Sequence, residues 1–409
     1  MSGNVPAAAP VLLPVAGAVP TLSFGVRPVT WQSSEEPSAS DDRPSKWLRV
    51  LRLIMYFMAT VQVAGCYFTL VRPYINTVLY ENGKERLPFQ TRVLMMAPMW
   101  WAHRSRLPAI FAAYLAHSQF WYLRPPEPEA IAQLWINIAS LIVAGWVATQ
   151  IYGAVSRTIP SAGGILGVLV YPLFLILFAC HYILHTIQNF RFLYDLPSVA
   201  FFSVGLWLIY FRKSPWLFAA LFLVATLNRE TTLLLLPFYK VTAASSSCGF
   251  RWKKTVSLPT LAVVVPLAAA WVGWHFFIFH VFKHNVSEYY PRVSLNLYTM
   301  AHPRYWPQLL SAGGYLLPFV ILGRRSIRDP QLRAWLWVLP VWFGFMFFWG
   351  ILVETRVFGE LLAYLTCITV LIAEDSIGKQ ILARSGHSPS QSFSTAGMVP
   401  IEIPEEEAA

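Results

Sequence analysis

Apolar runs along this chain alternate with short polar breaks that carry Lys, Arg or Pro. About 20 consecutive apolar residues make a helix long enough to cross a hydrocarbon core. Runs at 53–71, 131–155, 165–184, 198–211, 258–282, 305–322, 334–353 and 357–373 predict about eight full spans. A further run at 216–239 is interrupted by Asn228-Arg229-Glu230, and the stretch 334–373 by Glu354-Thr355-Arg356. An ionised side chain in the bilayer costs several kcal/mol unless it faces protein or a wet cavity. These two breaks therefore mark a functional site or a buried polar cluster. The expected fold is all-α, a polytopic integral membrane helix bundle.

Lys46, Arg49 and Arg52 precede the first span, which predicts an N-terminus on the inner face. Residues 72–129 then form a long outer loop. Within it, 94–101 and 108–123 are short, aromatic-rich and separated by His103-Arg104-Ser105-Arg106, the pattern of interfacial helices. The segment 216–239 decides the remaining topology. As a straight span it would put Lys240, Arg251, Lys253 and Lys254 outside, and Arg324, Arg325, Arg328 and Arg333 with them. As a hairpin that enters and leaves on one side, it returns both basic loops to the inner face. Each arm would rise about 15–18 Å at 1.5 Å per residue. Its tip, Asn228-Arg229-Glu230, would lie near mid-depth, where irregular backbone survives only against protein or a water-filled cavity.

Composition narrows the class. The chain has 409 residues, of which 56% are hydrophobic and 12% charged, about half the charge of a soluble domain. The net charge of +11 sits beside the spans and suits membrane orientation and anionic headgroups. No basic block interleaved with aromatics supports nucleic-acid binding. Cys66, Cys180, Cys248 and Cys367 are scattered and form no disulfide framework or CxxC motif. Residues 1–45, rich in Ala, Pro and Ser, lack the marks of a signal peptide and read as a disordered cytoplasmic tail. The transmembrane domain then covers 46–376, and 377–409, closing on Glu405-Glu406-Glu407, reads as a second cytoplasmic tail. The expected location is a bacterial inner (plasma) membrane with both termini in the cytoplasm.

Arg229 and Glu230 point about 100° apart on a helix and cannot neutralise each other, so each needs its own partner. Asp195, Glu354, Arg356 and Arg92 are the candidates, and the topology gathers them at an outward-opening cavity. The interrupted hairpin resembles the GT-C glycosyltransferases, multi-span enzymes that use polyprenyl-phosphate-linked sugars. The similarity rests on 221–227, Arg229, Thr231-Thr232, 233–236, Pro237 and Lys240, and on an outer loop with interfacial helices. It covers about 53–373 as architecture more than as motif. The resemblance implies sugar transfer at the outer leaflet from a polyprenyl-phosphate donor, with membrane lipids as surroundings. It also implies an acid just after the first span, yet that position reads Arg72-Pro73-Tyr74-Ile75-Asn76. Glu81 and Glu85 follow later; either could serve as the base, and the reading as solvated loop charges is favoured.

Transfer from a lipid phosphate needs cations for the leaving phosphate and a carboxylate for the attacking hydroxyl. Arg92, Arg191, Arg229 and Arg356, with Asn228 beside Arg229, are the substrate-binding candidates. Asp195, Glu354 and Glu230 are the catalytic ones. Arg92, at the start of an apolar segment, fits a phosphate clamp and an interfacial anchor equally. His181/His185 and His280/His284 have the i,i+4 spacing of metal ligands but read as interfacial histidines. No cofactor is expected, and a divalent metal stays open. No Walker motif, GxGxxG fingerprint or nucleophile elbow is present. Asn285-Val286-Ser287 matches a glycosylation triplet. A transporter or flippase with a broken helix at mid-membrane is the alternative. A non-catalytic assembly subunit is a third reading, and oligomeric state is left open.

Overall fold

The computed structural model describes residues 46–117, 127–156, 163–184, 190–246, 249–250 and 257–384. The tails expected at 1–45 and 385–409, and Arg157, His185, Gln188, Asn189, Cys248, Arg251, Lys253 and Lys254, lie outside the described residues. Two compact units divide after Arg49. The first is described only as helical residues 46–49, and the second, from Val50 onward, holds the helix bundle.

The chain is all-α. Helix α1 covers Lys46–Leu70, and the first loop carries α2 (Thr77–Glu81), α3 (Met96–Arg104) and α4 (Arg106–Ala116). Long helices α5 (Pro128–Ser156), α6 (Gly163–Tyr182) and α7 (Asp195–Tyr210) follow. Then come α8 (Pro215–Thr226), α9 (Leu235–Ala244), α10 (Leu258–Val281), α11 (Val293–Ala301), α12 (Trp306–Leu310) and α13 (Leu316–Leu322). The last are α14 (Pro330–Trp335), α15 (Val338–Trp349) and α16 (Leu362–Arg384). Among the described residues, strands are confined to two-residue pairings, Arg72–Pro73 with Phe190–Arg191 and Ser245–Ser246 with Gly249–Phe250.

Among the described residues, five helical segments are long and apolar enough to cross a membrane: Lys46–Leu70, Pro128–Ser156, Leu258–Val281, Pro330–Trp349 and Thr355–Gln380. The runs at 165–184 and 198–211 form shorter apolar helices, Leu166–Tyr182 and Asp195–Tyr210. The run at 305–322 is not one helix. Gly313, Gly314 and Tyr315 take φ of +70°, +63° and +62°, and this left-handed turn separates α12 from α13. Two glycines make the turn accessible where a longer side chain would be strained. A Cβ on Gly314 would also stand 2.6 Å from Leu177, so the turn packs close on α6. At the C-terminal end, α16 runs to Arg384, past the boundary placed at 376. Burial ranks the helices: 89% of the apolar window of Thr355–Gln380 is buried, against 11% for α10. The core around α16 is aromatic, with Trp335, Trp342, Phe238 and Tyr364 fully buried.

The segment 216–239 is a hairpin. Helix α8 starts at Pro215, where a missing N–H costs nothing, and stops after Thr226. Arg229 is extended, Glu230–Leu234 forms a 3-10 turn, and α9 returns. Pro237 falls in the first turn of α9, where its N–H would have no helical partner. Near their far ends the two arms meet, Phe218 stacking on Tyr239 with ring centroids 5.0 Å apart. Arg212, just before α8, donates to the Ser245 carbonyl just after α9 at 3.1 Å, so the chain enters and leaves at one end of the bundle. The tip is held by three bonds. Leu94 N–H donates to the Leu227 carbonyl (3.0 Å), Asn228 Nδ2 to the Tyr194 carbonyl (3.0 Å), and the Trp271 indole to the Glu230 carbonyl (3.1 Å).

The two ends of the bundle differ in chemistry. Beside Arg212, Tyr210 donates to Asp329 at 3.1 Å and Arg328 pairs with Asp375 at 2.8 Å. Arg324 and Arg325 follow Gly323, which lies against Ile372 of α16. The breaks at Arg212 and at 324–329 thus share an end, and the hairpin tip lies at the other.

A Cβ on Gly205 would stand 2.7 Å from Leu235, so α7 and α9 touch backbone to side chain there. We expect Gly205→Leu to cost about 1–3 kcal/mol by overpacking. Gly344→Ala, where nothing lies within 4 Å, should be neutral or stabilising by about 0.5–1 kcal/mol. Apparent melting temperatures of the two variants in one detergent check the contrast.

Candidate functional site

The hairpin delivers Arg229 into a buried ionic cluster. Asp195 opens α7, where a carboxylate faces the positive end of the helix dipole, and it is fully buried. Its Oδ1 lies 3.4 Å from Arg229 Nη1 and 3.6 Å from Arg356 Nη1. Glu360 sits in the 3-10 turn Thr355–Leu361 that leads into α16. Its Oε1 accepts the hydroxyls of Thr231 (2.6 Å) and Ser198, and lies 3.4 Å from the same Arg229 Nη1. One guanidinium nitrogen is therefore shared by carboxylates from two separate parts of the chain. Asp195 Oδ2, Glu360 Oε2 and Arg229 Nε remain buried without a hydrogen-bond partner.

Two further pairs flank this centre. Arg92 grips Glu230, with Nε 3.0 Å and Nη2 3.0 Å from Oε2, and its guanidinium lies 4.1 Å over the Tyr194 ring. Arg356 pairs with Glu354 and lies 4.0 Å over Phe192. Cation–π contacts of this kind hold a guanidinium flat and leave its edge free to bond.

Above the cluster opens a cavity of about 540 Å³. Its charged lining is Arg92, Arg229, Arg292, Arg356, Glu230, Glu288 and Glu354, set among aromatic residues that include Tyr74, Phe192, Tyr289 and Trp349. Arg292 is the cation in this lining with no carboxylate partner among the described residues. It stacks at 3.7 Å on Tyr290 and donates to the Glu288 carbonyl at 3.3 Å. Beside α8 and α10 lies an apolar groove of about 440 Å³, lined by Leu223, Val224, Leu227, Trp274 and Phe277.

The sequence candidates separate clearly. Arg92, Arg229, Glu230, Glu354 and Arg356 line the cavity. Asp195 lies behind it as the partner of Arg229 and Arg356. Asn228 does not line it; its amide donates to the Tyr194 carbonyl instead. Arg191 does not either. Its guanidinium donates to the Phe68 and Val71 carbonyls and covers the Phe68 ring at 3.6 Å, and burial lowers its pKa to about 10. It ties α1 to the strand pairing rather than facing a ligand.

Other expectations need correction. Glu85 is not solvated: it is 3% exposed and accepts the Asn76 N–H at 3.0 Å. His181 is no interfacial histidine. It is buried, Nδ1 bonds the Leu177 carbonyl (2.8 Å) and Nε2 accepts the Gly313 N–H (2.8 Å), clamping the left-handed turn. In the break Glu354-Thr355-Arg356, which reads as a functional site or buried polar cluster, Glu354 and Thr355 are indeed buried. Asn285 uses its amide on the Gly83 and Glu85 carbonyls at 2.9 and 2.7 Å, so its glycosylation would break a loop clamp.

Glu360, Arg292 and Glu288 were missed by sequence reasoning. Glu360 carried a usable signal, a lone carboxylate in the apolar stretch Val357-Phe358-Gly359-Glu360-Leu361-Leu362. Arg292 and Glu288 lie in an ordinary-looking loop and carried none. Compared with known protein families, characterised proteins and solved structures, the chain matches none of them.

Glu360→Leu leaves Arg229 short of one counter-charge, and breaking a buried pair in this way costs about 3–5 kcal/mol. Glu288 is 29% exposed and its partner Arg86 37%, so Glu288→Ala should cost under about 1 kcal/mol. Denaturation midpoints in detergent, measured side by side, check both.

Proposed function

We propose that this chain is a membrane glycosyltransferase that moves a sugar from a polyprenyl-phosphate donor to an acceptor hydroxyl. One observation carries the reading: four arginines and three glutamates converge on a single cavity at the tip of the hairpin. A phosphate leaving group requires concentrated, oriented positive charge, and the apolar groove between α8 and α10 offers an isoprenoid chain a path along the hairpin. In this reading the hairpin is re-entrant. Its arms of 12 and 10 residues rise about 18 and 15 Å, half of a hydrocarbon core. Arg212 and the arginines of 324–328 at the opposite end favour a cytoplasmic location for that end, so the cavity faces outward.

The chemistry follows from the lining. The acceptor oxygen attacks the anomeric carbon, the carbon–oxygen bond to phosphate breaks, and its electron pair leaves with the polyprenyl phosphate. A carboxylate takes the hydroxyl proton. Arg292, without a carboxylate partner among the described residues, is the first counter-charge for the phosphate. Arg92, Arg229 and Arg356 are already fixed by acids, so they stabilise growing negative charge without reorganising. The base is drawn from Glu230, Glu288 and Glu354, which line the cavity. Asp195 becomes a positioning residue. The resemblance expects an acid just after the first span; here Tyr74 stands there, 3.4 Å from Glu288, which brings a carboxylate from another loop.

A transporter would need a second broken element at the substrate site. The turn at Gly313–Tyr315 is such a break, but it contributes nothing to this cavity.

The test is turnover in lipid nanodiscs with a radiolabelled polyprenyl-phosphate hexose, reading free polyprenyl phosphate and labelled acceptor. We expect donor cleavage by the wild type. Replacing the base among Glu230→Gln, Glu288→Gln and Glu354→Gln should lower kcat by about 10²–10⁴-fold. Arg292→Ala should raise KM for the donor. Equal cleavage in all variants, or translocation of intact donor without cleavage, would overturn the assignment.

A further inference from the structure

Away from the cavity, three helices present one ligand-bearing side chain each to a common point. Glu81 ends α2, His103 lies near the end of α3, and Glu129 opens α5. One donor atom from each lies within 4.8 Å of the others. None of the three lines the cavity. We infer that Glu81, His103 and Glu129 form a site for one divalent transition-metal ion, with zinc as the best match.

The first support is the state of the carboxylates. Glu129 is only 5% exposed, and its only hydrogen-bond partner among the described residues is His103, a member of the trio. Glu81 Oε1 is buried with no hydrogen-bond partner among the described residues. Neither acid forms an ion pair with a Lys or Arg among the described residues. Arg104, the nearest cation in sequence, turns away to the Trp100 carbonyl (3.4 Å) and the Trp100 ring (4.4 Å). Two carboxylates have thus been brought together with one imidazole and without an ion pair to any Lys or Arg among the described residues. A divalent cation supplies the missing charge.

The second support is the donor set and its geometry. One imidazole and two carboxylates suit zinc, with bonds of about 2.0–2.2 Å. Donors bound to one tetrahedral ion at that length lie about 3.4 Å apart. With the three donor atoms within 4.8 Å of one another, an ion would be enclosed once the half-exposed His103 ring rotates and gives up its hydrogen bond to Glu129. Its exposed side leaves a coordination position open to water, as three-ligand zinc sites do.

The site also has a purpose that its place suggests. Tyr80, beside Glu81, donates its hydroxyl to the carbonyl of Arg92. An ion shared by α2, α3 and α5 would fasten the first loop to the bundle and hold the backbone that carries Arg92. The metal site stands whether or not the cavity transfers a sugar.

The experiment uses the full-length protein in detergent, stripped with a chelator and titrated with zinc against a chromophoric competitor. Wild type should take up one more tightly bound equivalent than either His103→Ala or Glu81→Gln, and either variant should lose at least about tenfold in affinity. Zinc should raise the apparent melting temperature of wild type and leave that of His103→Ala unmoved. His103 is exposed, so its variant should fold; Glu81→Gln serves should it not. Equal zinc uptake and equal thermal response in wild type and both variants would overturn the site.

Discussion

The buried guanidinium of Arg229, held by Asp195 and Glu360, is the interaction on which the rest of the structure depends. A charge so placed is tolerated only when paired, and its two acids come from the start of α7 and from the turn before α16. Apolar helices in lipid gain little specificity from burial, because lipid tails are as apolar as leucine. The ionic knot supplies that specificity. It fixes the hairpin tip against α7 and the α16 turn, and Thr231 and Ser198 complete the satisfaction of Glu360 Oε1. Arg356, through the same Asp195, is drawn into register with Arg229.

From this centre the cavity is built outward in layers. Asp195 and Glu360 lie behind, Arg229 and Arg356 form the floor, and Arg92 with Glu230 forms one wall. The aromatic rings Tyr194 and Phe192 lie flat beneath Arg92 and Arg356. Such arginines are pre-oriented rather than neutral bystanders, because paired acids hold them: Asp195 and Glu360 from behind, and Glu230 and Glu354 from within the cavity lining. Arg292 completes the set from a different loop, without an acid of its own among the described residues. An anionic group entering the cavity would meet fixed dipoles rather than mobile side chains, which is the condition for selective stabilisation of a leaving phosphate.

Much of this was legible in the sequence, for identifiable reasons. The helical class follows from hydropathy alone. The hairpin follows from charge: Lys240 and the arginines of 324–333 share a side only if 216–239 turns back, and the Phe218–Tyr239 stack shows that it does. The pairing of Glu230 with Arg92 was among the options, because adjacent residues on a helix cannot pair with each other. What stayed hidden depends on long-range contacts. Arg191 resembles Arg92 in sequence, yet it bonds main-chain carbonyls of the first helix and never reaches the cavity. Glu360 sits inside a run that hydropathy alone reads as plain span. The break at Gly313–Tyr315 interrupts a run whose hydropathy is that of a continuous helix, and only its packing on Leu177 and His181 shows why glycine is needed.

The central claim is that a lipid-linked phosphate sits in the arginine-lined cavity with its chain along the hairpin. An electron cryomicroscopy structure in nanodiscs with a polyprenyl monophosphate tests it most directly. The account predicts phosphate density within hydrogen-bond reach of Arg292 and at least one of Arg92, Arg229 and Arg356, with the chain in the groove between α8 and α10. Phosphate density elsewhere, or an empty cavity at saturating ligand, would contradict it.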